Sequence, residues 1–125
     1  MPALSNDDLK SLSADLKNLK DSSLVGVLVG DGSMILNFAN GSSILVQCPF
    51  ETAVNGVSAT GHGEDAETAI NLFDLLNTQV LDAAVDERGL ITLIFGPAKK
   101  LRICPDGSGL ESYVMRTSNG VLPVY

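Results

Sequence analysis

Few residues of this sequence could take part in acid–base or nucleophilic chemistry, and His62 is the first to consider. It is the only histidine, and it stands between Gly61 and Gly63. A histidine can act as a general acid or base, and it can activate a cysteine such as Cys48 as a nucleophile. That pairing needs a third group to orient the imidazole, and no Asn or Asp stands out for this role. Because a histidine in a glycine-flanked loop is usually exposed to solvent, we expect no catalytic residue and no enzymatic activity.

The cysteines and the clustered carboxylates do not predict a metal site. Cys48 and Cys104 are the only cysteines, and the sequence has no C-x-x-C pair or Cys/His cluster that would suit zinc. Asp82, Asp86 and Glu87 are close together along the chain but lack the spacing of a calcium-binding loop. We therefore expect no metal and no other cofactor. We also expect two reduced thiols, although the sequence does not tell whether they lie close together.

Nucleotide and nucleic-acid binding are disfavoured by both motif and composition. Gly107-Ser108-Gly109 is too short for a phosphate-binding loop and lacks a following helix, so it predicts a turn. Tyr113 and Tyr125 are the only tyrosines and tryptophan is absent, which leaves few side chains for stacking on bases. The formal net charge of −7 would repel nucleic acid and anionic membranes alike. We expect neither of them as a partner.

The distribution of charge says more than its total. From Asp21 to Glu87 the chain carries ten acidic residues and neither Lys nor Arg. Such an acidic region attracts a basic partner and speeds the encounter with it, although acidity can also serve solubility alone. We predict that the partner-binding acids are those around the middle of the chain. They are Glu51, Glu64, Asp65, Glu67, Asp82, Asp86 and Glu87.

The elements that must position these residues begin with a helix over residues 5–20. Ser5 is a suitable N-cap, and Asp8 stands where a capping-box partner belongs. Four leucines recur at helical spacing and should form one buried face. They are Leu9, Leu12, Leu16 and Leu19.

Strand patterns fill most of the remaining chain. Alternating apolar residues and turn dipeptides predict strands at 24–29, 34–38, 44–47, 80–85, 90–95, 99–104, 112–117 and 121–125. The glycine-rich stretch 50–63 predicts only a short strand near 52–57, followed by a loop. Residues 64–77 predict a second helix. Its apolar face would consist of Ala66, Ala69, Ile70, Phe73 and Leu76.

Two segments of the chain match each other without a gap. GSMILNFANGSSILVQ at 32–47 lies over GLITLIFGPAKKLRIC at 89–104, and Phe38 then coincides with Phe95. We interpret the match as a duplication with repeat units at about 5–50 and 64–125. The predicted fold class is therefore α+β, with two helices packed on a mainly antiparallel sheet formed by a duplicated helix–β-meander unit. Residues 1–125 should form a single domain.

The second half of the chain resembles a family of small, uncharacterised, β-rich bacterial proteins that are similar to immunity proteins of polymorphic toxin systems. The likeness covers about residues 66–125 and, weakly, 24–49. It rests on the end of a helix, on V-x-x-A, on G-x-L-x-L-x-F, on L-x-I-x-P and on an acidic–aromatic closing element. These are Leu72–Leu76, Val80 with Ala83, Gly89–Phe95, Leu101–Pro105 and Glu111-Ser112-Tyr113.

The resemblance implies a cytoplasmic immunity protein that binds and neutralises a cognate bacterial toxin. That toxin would be basic, for example a nuclease, and acidic residues would face it. Two other functions stay open at this point. One is an acidic secretion chaperone, and the other is a small-molecule-binding module that uses residues 56–63 with His62 and Cys48. Neither the oligomeric state nor the identity of the toxin can be read from the sequence.

Overall fold

A computed structural model describes residues 4–107 and 111–125. In this part of the chain, one α-helix, one 3₁₀ helix and ten strands follow each other. They are α1 (Asn6–Leu19), β1 (Ser23–Gly30), β2 (Ser33–Phe38), β3 (Ser43–Val46), β4 (Pro49–Val54), β5 (Val57–His62), the 3₁₀ helix (Ala66–Leu75), β6 (Thr78–Val85), β7 (Ile91–Phe95), β8 (Lys99–Ile103), β9 (Tyr113–Thr117) and β10 (Gly120–Val124). The turn predicted at Gly107-Ser108-Gly109 lies largely outside the described residues.

The predicted first helix is confirmed. The Ser5 hydroxyl accepts a hydrogen bond from the backbone N–H of Asp8 at 3.1 Å, which satisfies one of the free donors at the helix start. Three of the four leucines on the predicted face are buried. The same face also buries Asp15, which the leucine spacing did not reveal.

The strand predictions are confirmed except in the glycine-rich stretch 50–63. This stretch forms the β4–β5 hairpin, which pairs in register from Pro49 with His62 to Val54 with Val57. Asn55 and Gly56 at its tip have φ angles of 52° and 83°. Positive φ at both central residues is typical of the two-residue hairpin turn that Asn-Gly favours, so the missed signal was this dipeptide.

The second helix was predicted with the wrong period. Residues 66–75 form a 3₁₀ helix that buries Ala69, Leu72 and Leu75, at three residues per turn. Ile70 and Phe73, expected in the core, are 67% and 50% exposed instead. The prediction assumed the α-helical period of 3.6 residues per turn, and this period assigned Ile70 and Phe73 to the buried face of the helix.

The strands form one antiparallel sheet in the order β10-β9-β3-β2-β1-β6-β7-β8-β4-β5. We call the first five strands in this order the first half-sheet and the last five the second half-sheet. Only Ser23 with Gln79 and Leu24 with Thr78 join the two. Each half-sheet takes a hairpin from elsewhere in the chain, since β4–β5 pairs with β8 and β9–β10 pairs with β3.

The sheet folds over so that one face of each half-sheet lines a common core. Met34 and Val46 of the first half-sheet surround the same internal void as Phe50 and Leu101 of the second. Alternate residues along β2, β3, β7 and β8 are buried, which is the period of two that a half-covered sheet requires. Helix α1 packs on β6 and β9, and the 3₁₀ helix packs on β1 and β5.

The predicted fold class is wrong. The described chain is mostly β, with ten antiparallel strands in one sheet, and is not an α+β packing of two helices on a duplicated meander. One cause is the extra hairpin β4–β5, whose Asn-Gly turn was missed, and the other is the exchange of hairpins between half-sheets, which no local pattern encodes. The single-domain assignment and the repeat boundaries stay predictions. Among the described residues, no helix has the length and apolar character needed to cross a membrane.

Candidate functional site

His62 and Cys48 lie near each other in the backbone but are not arranged as a nucleophile pair. His62 ends β5, and its Nδ1 accepts a hydrogen bond from the backbone N–H of Glu64 at 3.1 Å. Cys48 is fully buried between β3 and β4. Burial, with a smaller effect of the neighbouring Cys104 and Asp106, raises the pKa of the Cys48 thiol to about 12. A thiol with this pKa stays protonated at neutral pH and is a poor nucleophile.

The two cysteines lie next to the ends of paired strands, Cys48 directly before β4 and Cys104 directly after β8, which answers a question the sequence left open. The backbone N–H of Cys104 donates to the Pro49 carbonyl at 2.9 Å, one residue beyond Cys48. Both thiols are free. Burial followed by the nearby Glu51 carboxylate raises the pKa of the Cys104 thiol, but its side chain is only half-buried.

The difference in burial predicts two distinct rates of thiol modification. At pH 8 a thiol reagent such as DTNB should modify Cys104 in the folded protein, whereas Cys48 should react at least about a hundredfold more slowly, through opening of the structure. Absorbance at 412 nm measures both phases. Cys104→Ser should remove the fast phase and leave the slow one. A single fast phase from both cysteines would contradict the burial of Cys48.

The predicted partner-binding acids fall into separate places. Asp82 lies on the outer face of β6, and Asp86 and Glu87 follow in the turn after that strand. The Asp86 Oδ1 accepts from the backbone N–H groups of Arg88 and Leu90 at 2.9 and 3.0 Å, so this carboxylate shapes the turn.

Glu51 does not join Asp82 in one acidic surface. It lies on the outer face of β4, with its Oε2 3.3 Å from the Arg102 guanidinium. In the register of the strands, Ile94 and Lys100 follow Asp82 across β7 and β8 before β4 is reached. Two basic residues therefore stand between Glu51 and Asp82.

The third group consists of Glu64 and Asp65, which connect β5 to the 3₁₀ helix, and Glu67 in the first turn of that helix. All three residues are exposed. The Asp65 carboxylate caps this helix by accepting from the backbone N–H of Glu67 at 3.3 Å. Glu64 lies 3.9 Å from His62 and near no other cation among the described residues. This group of acids thus presents its charge to solvent.

The feature that sequence reasoning missed is an unpaired edge on β1. Residues 25–30 pair with β2 on one side only, because the contact with β6 ends at Leu24. Three apolar side chains of this segment are exposed: Val25 at 51%, Leu28 at 59% and Val29 at 40%. A continuous apolar run is typical of a strand covered on both faces, and that pattern was visible in the sequence.

The 3₁₀ helix adds two apolar side chains beside this edge. A 3₁₀ helix has three faces, and the face with Ala69 is buried. The face with Asn71 contacts β5, where the Asn71 side-chain amide donates to the Thr60 carbonyl at 3.0 Å. The remaining face carries Ile70 and Phe73, which are 67% and 50% exposed, and the helix packs on β1 as well as on β5. We call residues Val25–Gly30 together with Ile70 and Phe73 the open β1 edge.

Two acidic residues adjoin the residues that define the open β1 edge. Asp31 directly follows Gly30 at the end of β1, and Glu67 lies one 3₁₀ turn before Ile70 on the same face of the 3₁₀ helix. Both acids are exposed, so they add negative charge next to the apolar side chains.

Comparison with protein families, with curated proteins and with solved structures found no match to this chain.

Proposed function

We propose that this protein works by binding another protein, and that it is an immunity protein that neutralises a basic bacterial toxin domain. It would act without catalysis, and it would meet its toxin in the cytosol. The observation that carries the proposal is the open β1 edge, which combines unpaired strand backbone with exposed apolar side chains.

An unpaired strand edge offers backbone N–H and C=O groups that an extended segment of another chain can bind. Native proteins usually protect such edges with charged residues or proline, and residues 25–30 contain neither. Exposed Leu28 and Phe73 would lose contact with water when the edge is covered, which favours association. The proposed occupant is therefore an extended strand of the toxin with apolar residues along it.

The charge around the edge favours a basic partner. Asp31 and Glu67 lie beside it, and among the described residues Arg102 is the only Lys or Arg within 4.0 Å of a carboxylate. Acids that are not paired within their own protein can pair with lysine or arginine across an interface. A nuclease domain would supply such residues, since binding nucleic acid requires a basic surface.

The decisive experiment uses the protein encoded directly upstream of this chain. Co-expression should protect bacteria from that protein, and the two should elute together from a sizing column as a stable complex. Isothermal titration should give a Kd in the nanomolar range or below, as is usual for tight inhibitory complexes. If the upstream product neither harms cells nor binds, the immunity role is refuted, and an unrelated basic protein such as lysozyme serves as the control for charge alone.

A further inference from the structure

We infer that the cleft between α1 and the β9–β10 hairpin is a binding site for an alkylammonium group, with Asp15 as its anion. The cleft has a volume of about 320 Å³. We call it the Asp15 cleft. Its lining consists of Ser11, Ala14, Asp15, Asn119, Gly120, Val121 and Leu122.

Asp15 is built into this cleft with a fixed orientation. Its Oδ1 accepts from the Thr117 hydroxyl at 2.9 Å and from the Asn119 side-chain amide at 3.2 Å. The Thr117 hydroxyl oxygen in turn accepts from the backbone N–H of Asn119 at 3.1 Å. These bonds tie the carboxylate to the turn between β9 and β10, so its position is set before any ligand arrives.

The carboxylate is buried without a compensating cation. Asp15 is 5% exposed and is the one charged residue in the buried set of the described chain. Among the described residues, no Lys, Arg or His nitrogen lies within 4.0 Å of it. Burying an unpaired charge is costly, so proteins normally pair such a group or bind a cation to it. Among the described residues no side-chain oxygen is both buried and without a hydrogen bond, so the Asp15 Oδ2, which has none, is accessible from the cleft, where a cation can pair with it.

The hydrogen bonds of Asp15 select the kind of cation. Oδ1 already accepts two hydrogen bonds, whereas no bond to Oδ2 is found among the described residues. A guanidinium is best bound by both oxygens of a carboxylate, but an ammonium needs only one acceptor per N–H. The Ser11 hydroxyl at the rim is a second acceptor. The side chains of Ala14, Val121 and Leu122 can cover the methylenes of the ligand, as they do for a lysine stem.

Such a group could belong to a lysine of a partner protein or to a free amine, and one titration separates the two. The full chain, labelled with ¹⁵N, would be titrated with n-butylammonium chloride and with the peptide acetyl-Ala-Lys-Ala-amide. We expect saturable shifts of the Thr117 and Asn119 amide signals with both. Binding at least about tenfold tighter for the peptide indicates a protein lysine, and equal binding indicates a free amine. Acetyl-arginine amide and tetramethylammonium should bind at least about tenfold more weakly.

Two variants test the role of Asp15. Asp15→Asn keeps an acceptor for Thr117 but removes the charge, and it should weaken n-butylammonium binding at least about tenfold. Asp7→Asn, at an exposed acid in the first turn of the same helix, should leave binding unchanged. Should Asp15→Asn fail to fold, Ala14→Leu fills the cleft from the exposed side of α1 and should abolish binding. Absence of saturable shifts, or equal binding by Asp15→Asn, would overturn the proposal. Neither result bears on the open β1 edge.

Discussion

Gly63→Ala is expected to lower the free energy of unfolding by about 3 kcal/mol, because no room exists for a Cβ atom at this position. Gly63 is buried, and an added Cβ would meet the Val46 carbonyl oxygen, lying 2.5 Å from its carbon and 2.8 Å from the Gln47 Cα. All three of these atoms belong to backbone and cannot rotate away. To remove this clash, the end of β5 would have to move away from the connection between β3 and β4. That movement would break the 2.9 Å hydrogen bond from the Gly63 N–H to the Cys48 carbonyl.

Urea denaturation measures this effect, since a loss of stability lowers the midpoint at constant m-value. Gly30→Ala is the matched control. An added Cβ there would lie 3.7 Å from its nearest neighbours, in ordinary contact, so stability should change by less than about 0.5 kcal/mol. An unchanged midpoint for Gly63→Ala would show that the end of β5 does not approach the connection between β3 and β4 so closely.

Elements with strong local signals could be predicted from the sequence. Helix α1 has a capping serine and leucines at one period, and β2 alternates between buried Met34, Leu36 and Phe38 and less buried neighbours. Turn dipeptides marked the hairpin ends, for example Asn119-Gly120, where Asn119 lies in the turn after β9 and Gly120 begins β10. In each case residues close along the chain determine the backbone conformation, so a window of a few residues is enough.

The pairing of distant strands could not be predicted in the same way. Strand β4 follows β3 directly along the chain but pairs with β8, through contacts such as Phe50 with Ile103. Local patterns give the faces of a strand but not its neighbours, and consecutive strands are neighbours often enough to suggest a simple meander. The same limit hid the open β1 edge. An apolar strand indicates which side chains favour burial, but it does not tell whether another part of the same chain buries them.

The partner-binding acids show this limit within the candidate site. Glu51 and Asp82 both belong to the segment that lacks Lys and Arg, yet the sheet places bases of β8 between them: Arg102 lies next to Glu51, and Lys100 lies two strands from Asp82, across Ile94. The acidic segment is continuous along the chain and interrupted in space. Glu64, Asp65 and Glu67 have no Lys or Arg within 4.0 Å among the described residues, because they lie between the end of β5 and the first turn of the 3₁₀ helix.

Leu28→Lys should weaken binding of the toxin partner about a hundredfold if the partner adds a strand to the open β1 edge. Leu28 is 59% exposed in the free protein, so the change should leave stability within about 0.5 kcal/mol of the original. In the complex, the lysine would replace an apolar contact, place an ammonium against a basic partner and protect the edge as lysines do in natural sheets. Isothermal titration or surface plasmon resonance measures the loss.

Val57→Lys provides the matched control on β5, the edge strand of the second half-sheet. Val57 is 71% exposed and would receive the same charge, so a general effect of added lysine would appear in both variants. We expect its Kd to stay within about twofold of the original. If Val57→Lys lost binding and Leu28→Lys did not, the partner would bind at β5, and the assignment to β1 would be refuted while the immunity role survived.

Glu67→Lys separates the contribution of charge from that of the apolar edge. Charged residues at the border of an interface act mainly on the association rate, whereas buried apolar contacts act mainly on dissociation. Glu67→Lys should therefore slow association and flatten its dependence on salt, because Glu67 is exposed beside the edge and its carboxylate attracts the partner. Leu28→Lys should in addition speed dissociation, since a covered leucine holds the complex together once it has formed. Equal effects of the two variants on both rates would mean that the acids and the apolar edge do not meet the same surface of the partner.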